Sequence, residues 1–233
     1  LFFSCEMSAV QLVRRMLIED SEVNGMKYRN AELGNGEINE LQESRKRLEA
    51  LGIYIDETAG IEINELCAKA RRAKQFNNIG WIVVDHLHLV RCAMFSRDRI
   101  KEVSEISRVL KELAKELDVP VIALAQLSRA LETRGGDKRP ILSDLRDSGT
   151  IEQDADIVVF LHRDEYYGKM TNENGESTAG LGEVIFAKYR NGATGTIDVR
   201  WLDTLMKFTG FAQPISTQFP ALAPNRNFLT EPF

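Results

Sequence analysis

Apolar residues in this chain fall into two rhythms, short unbroken runs and stripes spaced three or four apart, and the two alternate. The opening "LFFS" is a run of the first kind, and "SAVQLVRRMLIE" carries a stripe of Leu12, Val13, Met16 and Leu17. Ser8 and Gln11 stand at capping-box spacing where that stripe begins. A polar stretch over 20–52 follows, with helical pieces around 39–51, and "IYID" predicts a second strand. Residues 61–76 form an amphipathic helix with Ile63, Leu66, Ala70 and Ala73 inward. Its outer Lys69, Arg71, Arg72 and Lys74 are read as a solvated face. "WIVVDHLHLV" is the next strand, and Ile100, Val103, Ile106, Leu110, Leu113 and Leu117 mark a long helix over 99–117. Pro120 ends it, and "VIALA" predicts another buried strand.

The second half is less regular. Residues 128–153 are polar and glycine-bearing, which predicts loops around a short helical turn. "ADIVVFL" returns to strand, "YGKMTNENGESTAGLG" has the composition of a floppy surface loop, and "EVIFAKYRNGATGTIDVRW" predicts a hairpin. The segment after Phe208, with Pro214, Pro220 and Pro224, predicts a tail or arm, which divides the chain into 1–208 and 209–233. No internal repeat is visible.

Alternating strands and helices imply an α/β fold: a mostly parallel sheet with flanking helices on both faces and an antiparallel hairpin at one edge. Ligands in such sheets lie beyond the carboxyl ends of the strands. Polar residues stand at those ends here. Glu6 follows "LFFS", Asp85 follows "WIVV", Gln126 follows "VIALA", and Lys188 and Arg190 follow "VIFA".

Composition narrows the classes. The 233 residues are 43% hydrophobic and 28% charged, ordinary for a soluble globular protein, and no apolar run approaches the ~18 residues of a membrane span. "LFFSCEMS" has no basic region or small-residue cleavage site, and reads as a strand entered abruptly, as if cut from a longer chain. Three cysteines, Cys5, Cys67 and Cys92, widely spaced and odd in number, fit a reducing compartment. A net charge of −5 excludes a whole-chain basic footprint, so any nucleic-acid contact must come from local loops.

An acid after a buried strand commonly caps the next helix. Several at adjacent strand ends suggest more: a carboxylate can hold Mg²⁺ through water, and a second can orient a water for in-line attack on a phosphate. An amide such as Gln126 can sense a γ-phosphate. Lys188 and Arg190, two apart on a strand, share a face and can neutralise transition-state charge. His86 and His88 also share a face, but zinc needs more ligands and His162 is the only other histidine. Packing at the sheet rim, or a nucleic-acid-facing role, is the favoured reading of the pair.

Five segments in this order carry a resemblance: "FSCEMS", "WIVVDHLHLV", "EVSEISRVLKELAKELDVPVIALAQLSR", "DKRPILSDLRDSGTIEQDADIVVFLHRDEYY" and "AKYRNGATGT". Over residues 1–201 they resemble the RecA-like motor domain of DnaB-type replicative helicases, and "SDLRDSGTIEQDAD" is highly diagnostic. The resemblance implies roles. Glu6 matches the catalytic glutamate that polarises the attacking water, and Asp85 the Walker B aspartate acting on Mg²⁺ through its hydration shell. Gln126 matches the glutamine that couples the γ-phosphate to the DNA loops. Lys188 and Arg190 match the basic pair reaching a neighbouring subunit's ATP site, with Arg190 the arginine finger. Arg146, Asp147 and Gly149 fall in the loop that grips the backbone of single-stranded DNA in the central channel, a mode that needs few basic residues per subunit. ATP and Mg²⁺ as cofactors, a cytoplasmic hexamer, and primase and a helicase loader as partners are implied with them.

Two departures stand out. The phosphate loop GxxxxGK[ST], which precedes the "LFFS" strand in the family, is absent from the 233 residues, as is the N-terminal collar domain; "ELGNGE" and "RGGDK" lack its ending. This polypeptide alone is therefore expected not to hydrolyse ATP usefully, and a strand is expected to be missing from inside the sheet. Second, Asp-His-Leu-His stands at 85–88 where many members have Asp-Tyr-Leu-Gln. Alternative readings are another RecA-like ATPase of the recombination-mediator type, disfavoured by "SDLRDSGTIEQDAD" and "DEYY", and a non-catalytic split or decayed interaction subunit.

Overall fold

The structure is a computed structural model and describes residues 1–145, 149–172 and 175–211. β1 (Phe2–Ser4) leads into α1 (Ala9–Ser21), which opens with the expected capping box: the Gln11 N–H donates to Ser8 Oγ at 3.3 Å and the Ser8 N–H to Gln11 Oε1 at 3.0 Å. The α1 stripe is turned slightly from its expected setting, with Ile18 buried and Val13 exposed. Helices α2 (Gly25–Asn30) and α3 (Asn35–Glu49) follow, and α3 packs on α1. After β2 (Ile55–Asp56), α4 (Ile63–Asn77) buries Ile63, Leu66, Cys67 and Ala70. The helix ends where Asn78 turns left-handed at φ 46° and donates its N–H to the Lys74 carbonyl.

β3 (Ile82–Asp85), α5 (Arg99–Leu117) and β4 (Val121–Ala123) complete the first unit. Its four strands are parallel in the order β2-β1-β3-β4. Phe3, Ile82 and Val84 interlock in the core with Leu66 and Ala70 of α4 and Val103, Ile106, Leu110 and Leu113 of α5. Ile100 of the predicted α5 stripe lies instead on the open side.

Beyond β4 the chain forms α6 (Ala130–Thr133) and α7 (Gly149–Asp154). A second, antiparallel sheet then runs in the order β5 (Ile157–His162), β6 (Leu181–Tyr189), β7 (Gly195–Leu202) and β8 (Lys207–Thr209). The hairpin is thus the middle of a four-stranded sheet that takes in "ADIVVFL". Gly192 sits in its turn because the Tyr189 ring occupies the space where a Cβ would stand.

One sequence expectation is corrected. β4 is not buried: it is the edge of the parallel sheet, and Ile122 and Leu124 are exposed. Composition marks a strand as apolar, but only its place in the sheet decides whether anything covers it. In the 167–182 loop, the described residues make two fixed contacts. Thr178 is buried and donates its Oγ1 hydroxyl to the Lys169 carbonyl at 2.5 Å, and Thr171 bridges Ser177. No helix among the described residues is long and apolar enough to cross a membrane.

Candidate functional site

The carboxyl ends of β1, β3 and β4 lie side by side, because Ser4 is in register with Asp85 and Val84 with Ala123. The Cys5 N–H donates to the Asp85 carbonyl at 2.7 Å and the Leu87 N–H to the Leu124 carbonyl at 2.9 Å, so the three chains stay joined past their last paired residues. Parallel pairing therefore brings Glu6, Asp85 and Gln126, up to 120 positions apart in sequence, to one rim.

A pocket of about 340 Å³ opens there, lined by Glu6, His86, His88, Leu89, Arg99 and Gln126. Glu6 and Gln126 face it from opposite sides of β3; Asp85 ends that strand at the same rim but is not among the pocket's lining residues. His86 is buried, with its Nε2 3.5 Å from Glu6 Oε2 and its Nδ1 without a hydrogen-bond partner. His88 Nδ1 accepts the Gln126 N–H at 3.4 Å. The two histidines thus wall the pocket, which fits rim packing. Among the described residues no three His, Cys, Asp or Glu side chains are grouped to hold a metal ion.

Arg99 is the pocket residue that sequence reasoning missed. It donates to the His88 carbonyl at 2.5 Å and to the carboxylate of Glu102, itself buried and accepting the Cys92 N–H at 2.9 Å. A signal existed: Arg99 opens α5, and a cation in a first helical turn opposes the helix dipole. Such a placement is disfavoured unless tertiary partners need it.

Beneath the rim, burial first, and then the negative charges of Asp85 and Asp56, push the Cys5 thiol up to about 11. The shift disfavours the thiolate, the nucleophilic form of a cysteine. Asp85 at the strand end is a hard oxygen donor of the kind that can hold a hydrated Mg²⁺.

Lys188 and Arg190 are not at this pocket. Both turn to the end of α7, where the Lys188 ammonium donates to the Glu152 carbonyl and, at 3.4 Å, to that of Gln153. Arg190 donates to the Gln153 carbonyl at 3.0 Å and to Asp156 Oδ1 at 3.0 Å. A β-bulge beside them sets Lys188 opposite Val158 and Phe186 opposite Val159, leaving Ala187 as the extra residue. Gly149 is the exposed first residue of α7; Arg146 and Asp147 lie outside the described residues.

The sequence model of the DnaB-like helicase C terminal domain matches residues 1–210. The chain belongs to that family. It is 49% identical over 208 residues to the replicative DNA helicase DnaC of Bacillus subtilis (strain 168) and 48% identical over 208 residues to the replicative DNA helicase DnaB of Geobacillus stearothermophilus. Each match covers 88% of this chain and 44% of the relative, so the chain spans less than half the length of these relatives. Among solved structures, one described as an ATPase domain superposes with a TM-score of 0.82 at 36% identity, covering 90% of this chain and 73% of that one. A DnaB-like replicative helicase, described with its interactions with primase, gives the same TM-score and identity over 90% of this chain and 50% of its own. The RecA-like reading of the two sheets accords with these neighbours.

Proposed function

We propose that this chain is the motor portion of an ATP-dependent replicative DNA helicase that translocates on single-stranded DNA as a cytoplasmic hexameric ring, with ATP hydrolysed at subunit interfaces. The observation that carries the reading is the meeting of Glu6, Asp85 and Gln126 at three adjacent strand ends, with Lys188 and Arg190 held apart from them. A site split in this way is completed by a second subunit. Glu6 orients and deprotonates the attacking water, and Gln126 senses the γ-phosphate. Asp85 would hold Mg²⁺ through its water shell, and the ion would supply charge neutralisation at the phosphates. Arg190 serves the neighbour's site, with Lys188 beside it, and Arg146, Asp147 and Gly149 grip the DNA backbone. Primase and a helicase loader are the further partners this reading implies.

These 233 residues contain no GxxxxGK[ST], so turnover by them alone is expected to be negligible and the assay uses the full-length protein. Full-length wild type should unwind a forked duplex with ATP and Mg²⁺, and Asp85→Ala should not. Mixing Arg190→Ala subunits into otherwise intact rings should suppress ATPase while nucleotide binding persists. Normal turnover in the mixed rings would refute the assignment in trans.

A further inference from the structure

Asp156 lies between α7 and β5, and no role in the proposed reaction has yet fallen to it. Its carboxylate accepts from Arg190 Nη1 at 3.0 Å and pairs with the Lys111 ammonium of α5, while its carbonyl accepts the Arg190 N–H at 2.8 Å. Arg190 is thereby held at both its backbone and its guanidinium. The other nitrogen of the guanidinium, Nη2, donates to the Gln153 carbonyl, and Lys188 donates to the Glu152 carbonyl. Carbonyls at the end of a helix carry partial negative charge, so they suit both cations.

The platform beneath is firm. Ser107 of α5 donates to Asp154 Oδ2 at 2.7 Å, Ser104 and Thr150 share a hydroxyl bond at 2.8 Å, and Ile151 packs on the core. Lys111 first, and then the charges of Arg190 and Lys188, hold the Asp156 carboxyl below the usual range against its partial burial. A guanidinium has five N–H donors, and these contacts occupy one edge. The side chain is still half-exposed, so the remaining donors are open to an incoming phosphate.

We propose that Asp156 is the positioning residue for Arg190, fixing the Lys188–Arg190 pair to the C-terminal end of the helix that begins at Gly149. The proposal rests on the finger assignment made above. Its consequence is that the basic pair keeps a fixed place relative to α7 and α5.

The test is steady-state ATP turnover by the full-length protein on single-stranded DNA, with Asp156→Asn, Arg190→Ala, the double variant and Lys111→Gln. Loosening a pre-positioned group lowers kcat, so Asp156→Asn should lose about tenfold in kcat with KM for ATP within about twofold. Because Asp156 acts through Arg190, the double variant should be no slower than Arg190→Ala alone. Lys111→Gln removes the carboxylate's other partner but leaves its bond to Arg190, and should lower kcat less than Asp156→Asn does. Asp156→Ser gives the same reading if the asparagine variant does not fold. Wild-type turnover by Asp156→Asn beside an impaired Arg190→Ala overturns the positioning role alone, as would losses that multiply in the double variant. Wild-type turnover by Arg190→Ala overturns the finger assignment and the Asp156 role with it.

Discussion

His86 places its Nε2 3.5 Å from Oε2 of Glu6, a buried imidazole against a carboxylate that is itself open to solvent. The ring and the carboxylate stand side by side on the pocket wall. In the full-length protein, His86→Ala should lower kcat for ATP several-fold and leave KM nearly unchanged, because orientation and not substrate binding is lost. His86→Tyr, which keeps an aromatic wall, should recover most of the rate. Equal turnover by the alanine variant would show that Glu6 is oriented by other groups.

Asp144 and Arg134 staple the segment between β4 and α7. Arg134 Nη1 donates to both carboxylate oxygens at 3.1 and 2.9 Å, the Ile141 N–H adds a third bond at 2.9 Å, and Asp144 is buried. Asp144→Ala removes the guanidinium's ionic partner, leaving it only the Asp137 and Arg139 carbonyls, and should cost about 3 kcal/mol. Urea unfolding measures this, and a double-mutant cycle with Arg134→Ala should show strong coupling between the two. Additive losses would mean that the staple is not one unit.

Leu66 is wholly buried beneath the parallel sheet, against β1, β3 and α5. Leu66→Ala should destabilise by about 3 kcal/mol through lost transfer energy and an unfilled cavity. The midpoint of chemical denaturation should fall with little change in slope.

Cys5 is buried with its thiol pushed up to about 11, and burial also raises Cys67. Iodoacetamide near neutral pH should leave both unmodified in the native protein and alkylate them once it unfolds. Peptide mapping distinguishes the two, and rapid native labelling of Cys5 would contradict its placement.

Asp56 sets a pH signature. Burial works against its ionised form, but the Lys69 ammonium at 2.7 Å and Thr58, whose N–H donates at 3.1 Å, outweigh burial and lower the carboxyl below 3.8. A lowered folded value stabilises the fold above the unfolded pKa, and that contribution disappears as pH falls through the folded value. The stability gap between wild type and Asp56→Asn should be constant above the usual carboxylate range and close as the pH falls below that range, through the lowered folded value. A gap unchanged at the acid end would show that the ion pair contributes nothing.

How much was legible in advance differs between the parts of the molecule. The long helix over 99–117, the Ser8–Gln11 capping box and the inward face of α4 were determined by the sequence itself, because a helix's hydrogen bonds and apolar stripe are local and repeat with a fixed period. The strand-end acids were visible for a similar reason: a carboxylate interrupting an apolar run marks where burial stops. Exposure of β4 was not legible, since an apolar strand looks alike whether at the centre or the edge of a sheet.

Only the tertiary structure decided which distant residues share a site. Parallel register set Glu6, His86 and Gln126 around one pocket, long-range packing brought Arg99 to it, and a bulge with the end of α7 gave Arg190 its seat on Asp156. Sequence specifies the local period and the chemistry of each side chain. Pairing partners and strand order depend on contacts between residues far apart along the chain, and no local rhythm encodes them.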